Sequence, residues 1–546
     1  MHSRWLCALL LSAVGCSSSE PRADAPRATE DAGTEPSDGA SSGCATGVSA
    51  EPGVVVTDSG AVRGAKAGTT WAYKNVPYAA PPVGALRWKP PEAPSCWSGI
   101  RDATTFGPMC PQSDSTGTAP VTGDEDCLQL NVWTPEDAGA TPLPVLFWIH
   151  GGGFTGGSAV EQQAGVALYD GQALAEKTHA VVVTTNYRVG VLGFLAHPAL
   201  AGEADDGATG NYGLLDQIAA LRFVQRNVRA FGGDPAHVTI AGESAGGESV
   251  CLLVASKLTS GLFQGAIMES GGCKANTLAD AETYGAKVVQ AAHCDTASDV
   301  PACLRAVPAT DMVNALPVTI DVAGITGPYG GVIDQSFLAG APSAVITSGA
   351  HQHVPMIVGS NSDETSRTVP IQQDATEAAY EAAVKALFGA LAPAVLTHYP
   401  ASNYASPWAA YVAVTSDAKF TCGARRIIRA LRKGQTEPVF RYFFTHGLAS
   451  APRNQALGAW HGIDVLFVFD HLALAGYVPS AGEQTLSDSI GAYWSSFAAS
   501  ATPSAASSPT WPPSDDADAY LELATPSQLG AGVRTEQCNF WDTLAL

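Results

Sequence analysis

The stretch that most limits how this chain can fold runs from Phe231 to Gly247, F-G-G-D-P-A-H-V-T-I-A-G-E-S-A-G-G. Val238, Thr239 and Ile240 are β-branched in a row, which suits a buried strand. They lead directly into Gly242-Glu243-Ser244-Ala245-Gly246, a G-x-S-x-G, and then into Glu248 to Leu258, a helix-like segment without proline. Strand, pentapeptide and helix in that order make a nucleophile elbow. The turn is so tight that only small residues fit beside the serine, hence Gly242 and Gly246. It lifts the Ser244 hydroxyl above the sheet and sets a helix N-terminus, with its N–H groups, beneath it. A chain with 56 glycines also produces such a pentapeptide by chance, so the remaining sequence has to decide.

It supplies the surroundings an elbow needs. Val54 to Thr57 and Ala61 to Gly64 flank Asp58-Ser59-Gly60, an N-terminal hairpin, and Tyr78 to Trp88 reads as loop. Glu125 to Trp133 alternates like a strand. Pro144 to Ile149 is apolar enough for a central strand buried on both faces, and Ala180 to Thr185 is another. The first ends in His150-Gly151-Gly152-Gly153-Phe154, where glycines let backbone N–H groups approach a ligand. Gly213 to Val228 carries Leu215, Ile218, Ala219, Leu221 and Val224 at helical spacing. Alternating strands and helices imply an α/β fold with a mostly parallel sheet.

Composition narrows the function. Asp and Glu outnumber Lys and Arg by 51 to 29, with no basic stripe to neutralise phosphates, so nucleic acid is excluded as a partner. Residues 1–15 hold Arg4 and an apolar run from Trp5 to Val14, too short to span a bilayer but suited to an export signal. Ser12-Ala13-Val14-Gly15-Cys16 resembles the lipobox of bacterial lipoproteins, which makes Cys16 the candidate lipidation site and a cell-envelope location the expectation. Residues 16–52 are rich in Ser, Ala, Pro, Asp, Glu and Gly and are expected to be a flexible tether, with one folded domain over 53–546. Twelve cysteines in an exported chain point to disulfides. No C-x-x-C, H-E-x-x-H or His/Cys cluster supports a metal, and no cofactor is expected.

Together the motifs P-P-V-G-A-L-R-W, E-D-C-L-Q-L-N-V-W, W-I-H-G-G-G-F, N-Y-R-V-G-V-L-G-F-L, G-N-Y-G-L-L-D-Q and G-E-S-A-G-G resemble the type-B carboxylesterase family, from about Val54 to the C-terminus. The resemblance is to acetylcholinesterase-like α/β-hydrolases, closest in character to bacterial p-nitrobenzyl esterases. It implies a large, mostly parallel sheet with helices on both faces and sizeable helical insertions. It also implies where the remaining chemistry lies, because a serine hydroxyl needs a base and a group that orients the base. Ser360-Asn361-Ser362-Asp363-Glu364 is similar to the family's acid motif and nominates Glu364, with Asp363 as fallback; Thr365 replaces the usual glycine. Ala459-Trp460-His461-Gly462-Ile463-Asp464 matches the base motif and nominates His461. His237, His351 and His353 are expected on the surface. By resemblance, the N–H groups of Gly152, Gly153 and Ala245 form the oxyanion hole, while Glu243 and Asp464 support the base. The family pattern also pairs Cys110 with Cys127, Cys294 with Cys303 and Cys422 with Cys538, and makes Arg87 and Glu125 a buried ion pair. Cys44, Cys96, Cys251 and Cys273 are left over; Cys44 with Cys96 and Cys251 with Cys273 are the candidate pairings.

Substrate is read from what is missing. In cholinesterases the loop closed by the first disulfide carries a tryptophan that holds a quaternary ammonium by cation–π attraction. Here that loop, Pro111 to Asp126, has no aromatic residue. The expectation is a serine esterase of uncharged short- to medium-chain carboxylic esters. A lipase acting on longer lipid esters is the alternative, because the Lys274 to Pro355 region has room for a lid. A non-catalytic adhesion protein of the same fold is disfavoured by the complete set of Ser244, Glu364 and His461.

Overall fold

The structure, a computed structural model, describes Cys44 and residues 51–114, 117–138, 141–163, 165–316, 328–449 and 456–544. The expected signal segment and Cys16, the candidate for lipidation, lie outside the described residues. Part of the expected tether does not. Cys44 is bonded to Cys96, and Glu51 pairs with Arg63. The folded body therefore reaches back to Cys44, because a disulfide holds that residue to the domain.

An eleven-stranded sheet organises the domain. In chain order its strands are β1 (Ala65–Ala67), β2 (Thr70–Pro77), β3 (Gln129–Pro135), β4 (Leu143–Ile149), β5 (Val181–Thr185), β6 (Gly233–Glu243), β7 (Gly265–Glu269), β8 (Met356–Asn361), β9 (Val439–Phe444), β10 (Ala519–Leu523) and β11 (Gln528–Ala531). Their spatial order is β1-β2-β3-β5-β4-β6-β7-β8-β9-β10-β11. The run from β5 to β10 is parallel and both edges are antiparallel. The Val54–Val56 and Ala61–Arg63 hairpin forms as expected, but it joins Ile100–Asp102 in a separate small sheet.

The central strands are apolar on both faces because each face has its own core. Val145, Phe147 and Ile149 of β4 enter one cluster with Val181 and Val183 of β5, whereas Leu146, Trp148 and Val182 enter the other. The first face is covered by α1 (Tyr212–Asn227) and α2 (Ala245–Ala255), through Leu214, Ile218, Leu221, Val250 and Leu252. The second is covered by a long helix, Ala481–Ser500, through Leu486, Ile490, Trp494 and Phe497. Each such side chain contributes roughly 1.5–3 kcal/mol on burial, so a strand feeding two cores is fixed in register from both sides.

Among the described residues five disulfides fasten the chain: the three expected pairs, together with Cys44–Cys96 and Cys251–Cys273. They are the mark of an exported chain in an oxidising compartment. Arg87 and Glu125 form the anticipated pair, bidentate at 2.6 and 2.7 Å, and the Arg87 guanidinium also donates to the Val307 carbonyl. His351 departs from expectation. It is buried, with Nε2 2.9 Å from Gln435 Oε1, because the polar partner lets the ring leave water; His353 and His237 are exposed.

Candidate active site

Ser244 stands between the end of β6 and the start of α2 at φ +58°, ψ −122°, a strained conformation costing about 1–3 kcal/mol that the packing around it maintains. The flanking glycines show how little room remains. A Cβ on Gly246 would lie 2.0 Å from the Ile149 carbonyl oxygen, and one on Gly242 2.6 Å from the Gly246 backbone. Beyond β4, Gly152 and Gly153 both have positive φ, and a Cβ on Gly152 would sit 2.2 Å from the Gly156 carbonyl oxygen. Gly152, Gly153, Ser244 and Ala245 line one cavity of about 680 Å³. His150 precedes the loop, buried and stacked on Tyr187. Burial lowers its pKa to about 4, which leaves the ring neutral.

Glu364 and His461, nominated as acid and base, lie on the connections that follow β8 and β9. Glu364 follows β8 and is fully buried; its Oε1 accepts the Asn361 N–H at 2.7 Å. Its Oε2 lies 2.6 Å from His461 Nδ1, and His461 Nε2 lies 2.7 Å from Ser244 Oγ. The geometry assigns Nδ1–H as donor to Glu364 and leaves Nε2 as acceptor for the serine proton. Asp363 turns elsewhere, accepting from Ser362 and the Ala459 N–H. Thr365 fits where glycine is usual by hydrogen bonding to Thr415 at 2.6 Å.

Further carboxyls crowd the imidazole. Glu243 Oε1 is 3.3 Å from His461 Nε2. Burial pushes the Glu243 carboxyl up to about 8 against the pull of His461. Burial also lowers His461, but the charges of Glu243 and Glu364 outweigh it and lift the imidazole to about 9. The two groups are close enough for the charge of each to shift the other, and His461 takes the serine proton only in its unprotonated form. Asp464 takes hydrogen bonds from Asn361 and Tyr442, and burial raises it to about 6. Glu269, on β7, was not foreseen from the sequence. Burial holds it well above the usual carboxylate range, and it accepts the Trp494 indole N–H at 2.8 Å. Phe420 was missed as well. It packs on the His461 ring at 4.9 Å from a π-helical turn, Asp417–Thr421, and such a turn has no signature in residue pattern.

A serine held by an imidazole and a buried carboxylate, at the carboxyl ends of parallel strands and beside a glycine loop, defines an α/β-hydrolase of the serine hydrolase class. The chain belongs to the carboxylesterase family, whose sequence profile matches residues 51–541. It is 36% identical over 491 residues to the fumonisin B1 esterase of Sphingopyxis macrogoltabida, covering 87% of each chain. It is 34% identical over 514 residues to the cocaine esterase of Oryctolagus cuniculus, covering 88% of this chain and 92% of the relative. With liver carboxylesterase 1 of Oryctolagus cuniculus the identity is 30% over 516 residues, covering 86% of this chain and 88% of the relative. The protein is a carboxylic ester hydrolase.

Proposed function

We propose that Ser244, His461 and Glu364 are the catalytic triad and that the substrates are uncharged esters of short to medium acyl chain. The observation that carries this reading is the unbroken relay from Glu364 through His461 to Ser244, at 2.6 and 2.7 Å. Ser244 Oγ attacks the ester carbonyl while His461 Nε2 takes its proton. The N–H groups of Gly152, Gly153 and Ala245 receive the oxyanion. His461 then returns the proton to the departing alcohol, leaving an acyl-serine. Water, giving a proton to the same nitrogen, cleaves that intermediate and restores the hydroxyl. Glu364 fixes the tautomer and stabilises the imidazolium throughout. Glu243 and Asp464 support the base from the side.

A cavity of about 680 Å³ holds a small ester, and the first-disulfide loop offers no aromatic face to a quaternary ammonium. The chain-length reading is tested with p-nitrophenyl acetate, butyrate, octanoate and palmitate, with acetylthiocholine alongside. The expected kcat/KM maximum falls between acetate and octanoate; a maximum at palmitate favours the lipase reading, and one at acetylthiocholine overturns the pocket argument. We infer further that residues 1–15 are a bacterial export signal, that Cys16 carries lipid and that the segment up to Cys44 tethers the enzyme to the cell envelope. Cys16→Ser is expected to release the protein from membranes or leave it unprocessed; unchanged membrane retention would refute lipidation at that residue.

A further inference from the structure

The cavity over Ser244 has a cationic wall made by Lys274, Lys419 and Arg367. Each cation is on a segment fastened near one member of the proposed triad. Lys274 follows Cys273, and the Cys251–Cys273 disulfide ties its segment to α2, the helix that starts at the nucleophile. The Lys274 N–H also donates to the carboxyl of Glu248, one turn beyond Ser244 on α2. Lys419 lies in the π-helical turn beside Phe420, which packs on His461, and that turn runs into Cys422, bonded to Cys538. Arg367 comes three residues after Glu364 and lies over the ring of Trp460, 5.6 Å from its centroid and next in sequence to the base.

Acidic groups face the same space, and their state decides its charge. Asp114 is engaged by the N–H groups of Thr118 and Ala119. Burial raises Glu161 and pushes Glu243 to about 8. Glu248 is pushed by burial to about 7 although Lys419 and Lys274 pull it down. Burial and the neighbouring Arg426 hold Lys274 below its usual value, and an anion placed there relieves both. In a chain of net charge −22, three cations lining one cavity are a local arrangement.

We propose that this wall recognises a carboxylate carried by the ester itself, so that the site also takes monoesters of dicarboxylic acids or esters of phenolic acids. The proposal extends the substrate range beyond neutral esters and rests on Ser244 as nucleophile. The chemistry is the same hydrolysis: the acyl C–O bond breaks, water supplies the new acid oxygen, and the recognised carboxylate passes through unchanged.

The test compares each anionic ester with a neutral isostere in two arms. The acyl-side arm uses p-nitrophenyl hydrogen glutarate against p-nitrophenyl valerate, and the alcohol-side arm uses p-acetoxybenzoate against its methyl ester. In one arm the anionic-to-neutral ratio of kcat/KM is expected to fall about fivefold for each of Lys274→Gln, Lys419→Gln and Arg367→Gln, and further in the triple variant. The arm that responds identifies the source of the carboxylate. A ratio left unchanged by the triple variant in both arms overturns the proposal. Calorimetric titration of wild type and triple variant with glutarate reads the wall without any chemistry. Binding lost in the variant supports the wall, and equal binding, or none in wild type, overturns it. Arg367→Gln alone, at an exposed side chain, repeats the measurement where folding is not at stake. Failure of the nucleophile assignment shows separately, as p-nitrophenyl valerate turnover retained in Ser244→Ala.

Discussion

The two halves of the catalytic centre are made of different material. The nucleophile half is backbone: Gly242, Gly246 and Gly152 sit where an added Cβ would strike a neighbouring main chain at 2.0–2.6 Å. The base half is side chain: Glu243, Glu364 and Asp464 are buried beside His461, and burial raises Glu243 and Asp464 as it does Glu269 on β7. The first half is therefore limited by volume, and the second by charge.

Four measurements break or sharpen that contrast. The largest effect is expected at the junction of the halves. Ser244→Ala or His461→Ala lowers kcat by about six decades with the circular dichroism spectrum unchanged, since either change removes the whole unit. Near-normal turnover of an activated ester by Ser244→Ala would remove the assignment. Glu364→Gln keeps the volume and removes the charge, and costs about four decades. A loss no greater than tenfold would show that the base half is not governed by charge. On the other side, Gly152→Ala adds a single methyl and no charge. It is expected to lower kcat by about two to three decades through displaced oxyanion donors. Full activity there would show that the glycine loop has slack. The smallest effect belongs to Glu243→Gln. His461 has to be unprotonated to act, and Glu243 is one of the charges that raise it to about 9. Removing that charge lowers the imidazole pKa, so the acid limb of the kcat/KM profile moves to lower pH. A limb that stays in place, or moves up, would show that Glu243 does not act on the charge of the imidazole.

The same contrast explains what the sequence made legible. Volume-limited positions appear as glycines at fixed spacing, so the elbow and the oxyanion loop could be read directly. β4 and β5 were legible because two cores demand apolar residues on both faces. Glu364 and His461 were legible only through resemblance to family motifs, since neither residue type is rare. The sheet edges were not, because β1 and β11 are short and partly exposed and lack such a pattern. The burial of His351 depended on Gln435, 84 residues away. Glu269 and the cationic wall were missed because burial and disulfides between distant segments set their surroundings.

The strand order from β6 to β11 repeats the chain order, and that gives the site a timetable. Ser244 precedes its base by 217 residues, and Cys422 precedes Cys538 by 116. At ordinary synthesis rates the elbow is made roughly 10–40 s before His461 exists. With the proposed triad, the serine has neither base nor orienting acid throughout that interval, and the nascent chain is expected to be catalytically silent. Activity begins only once the strands beyond β7 have been added and closed, after the whole domain has been made.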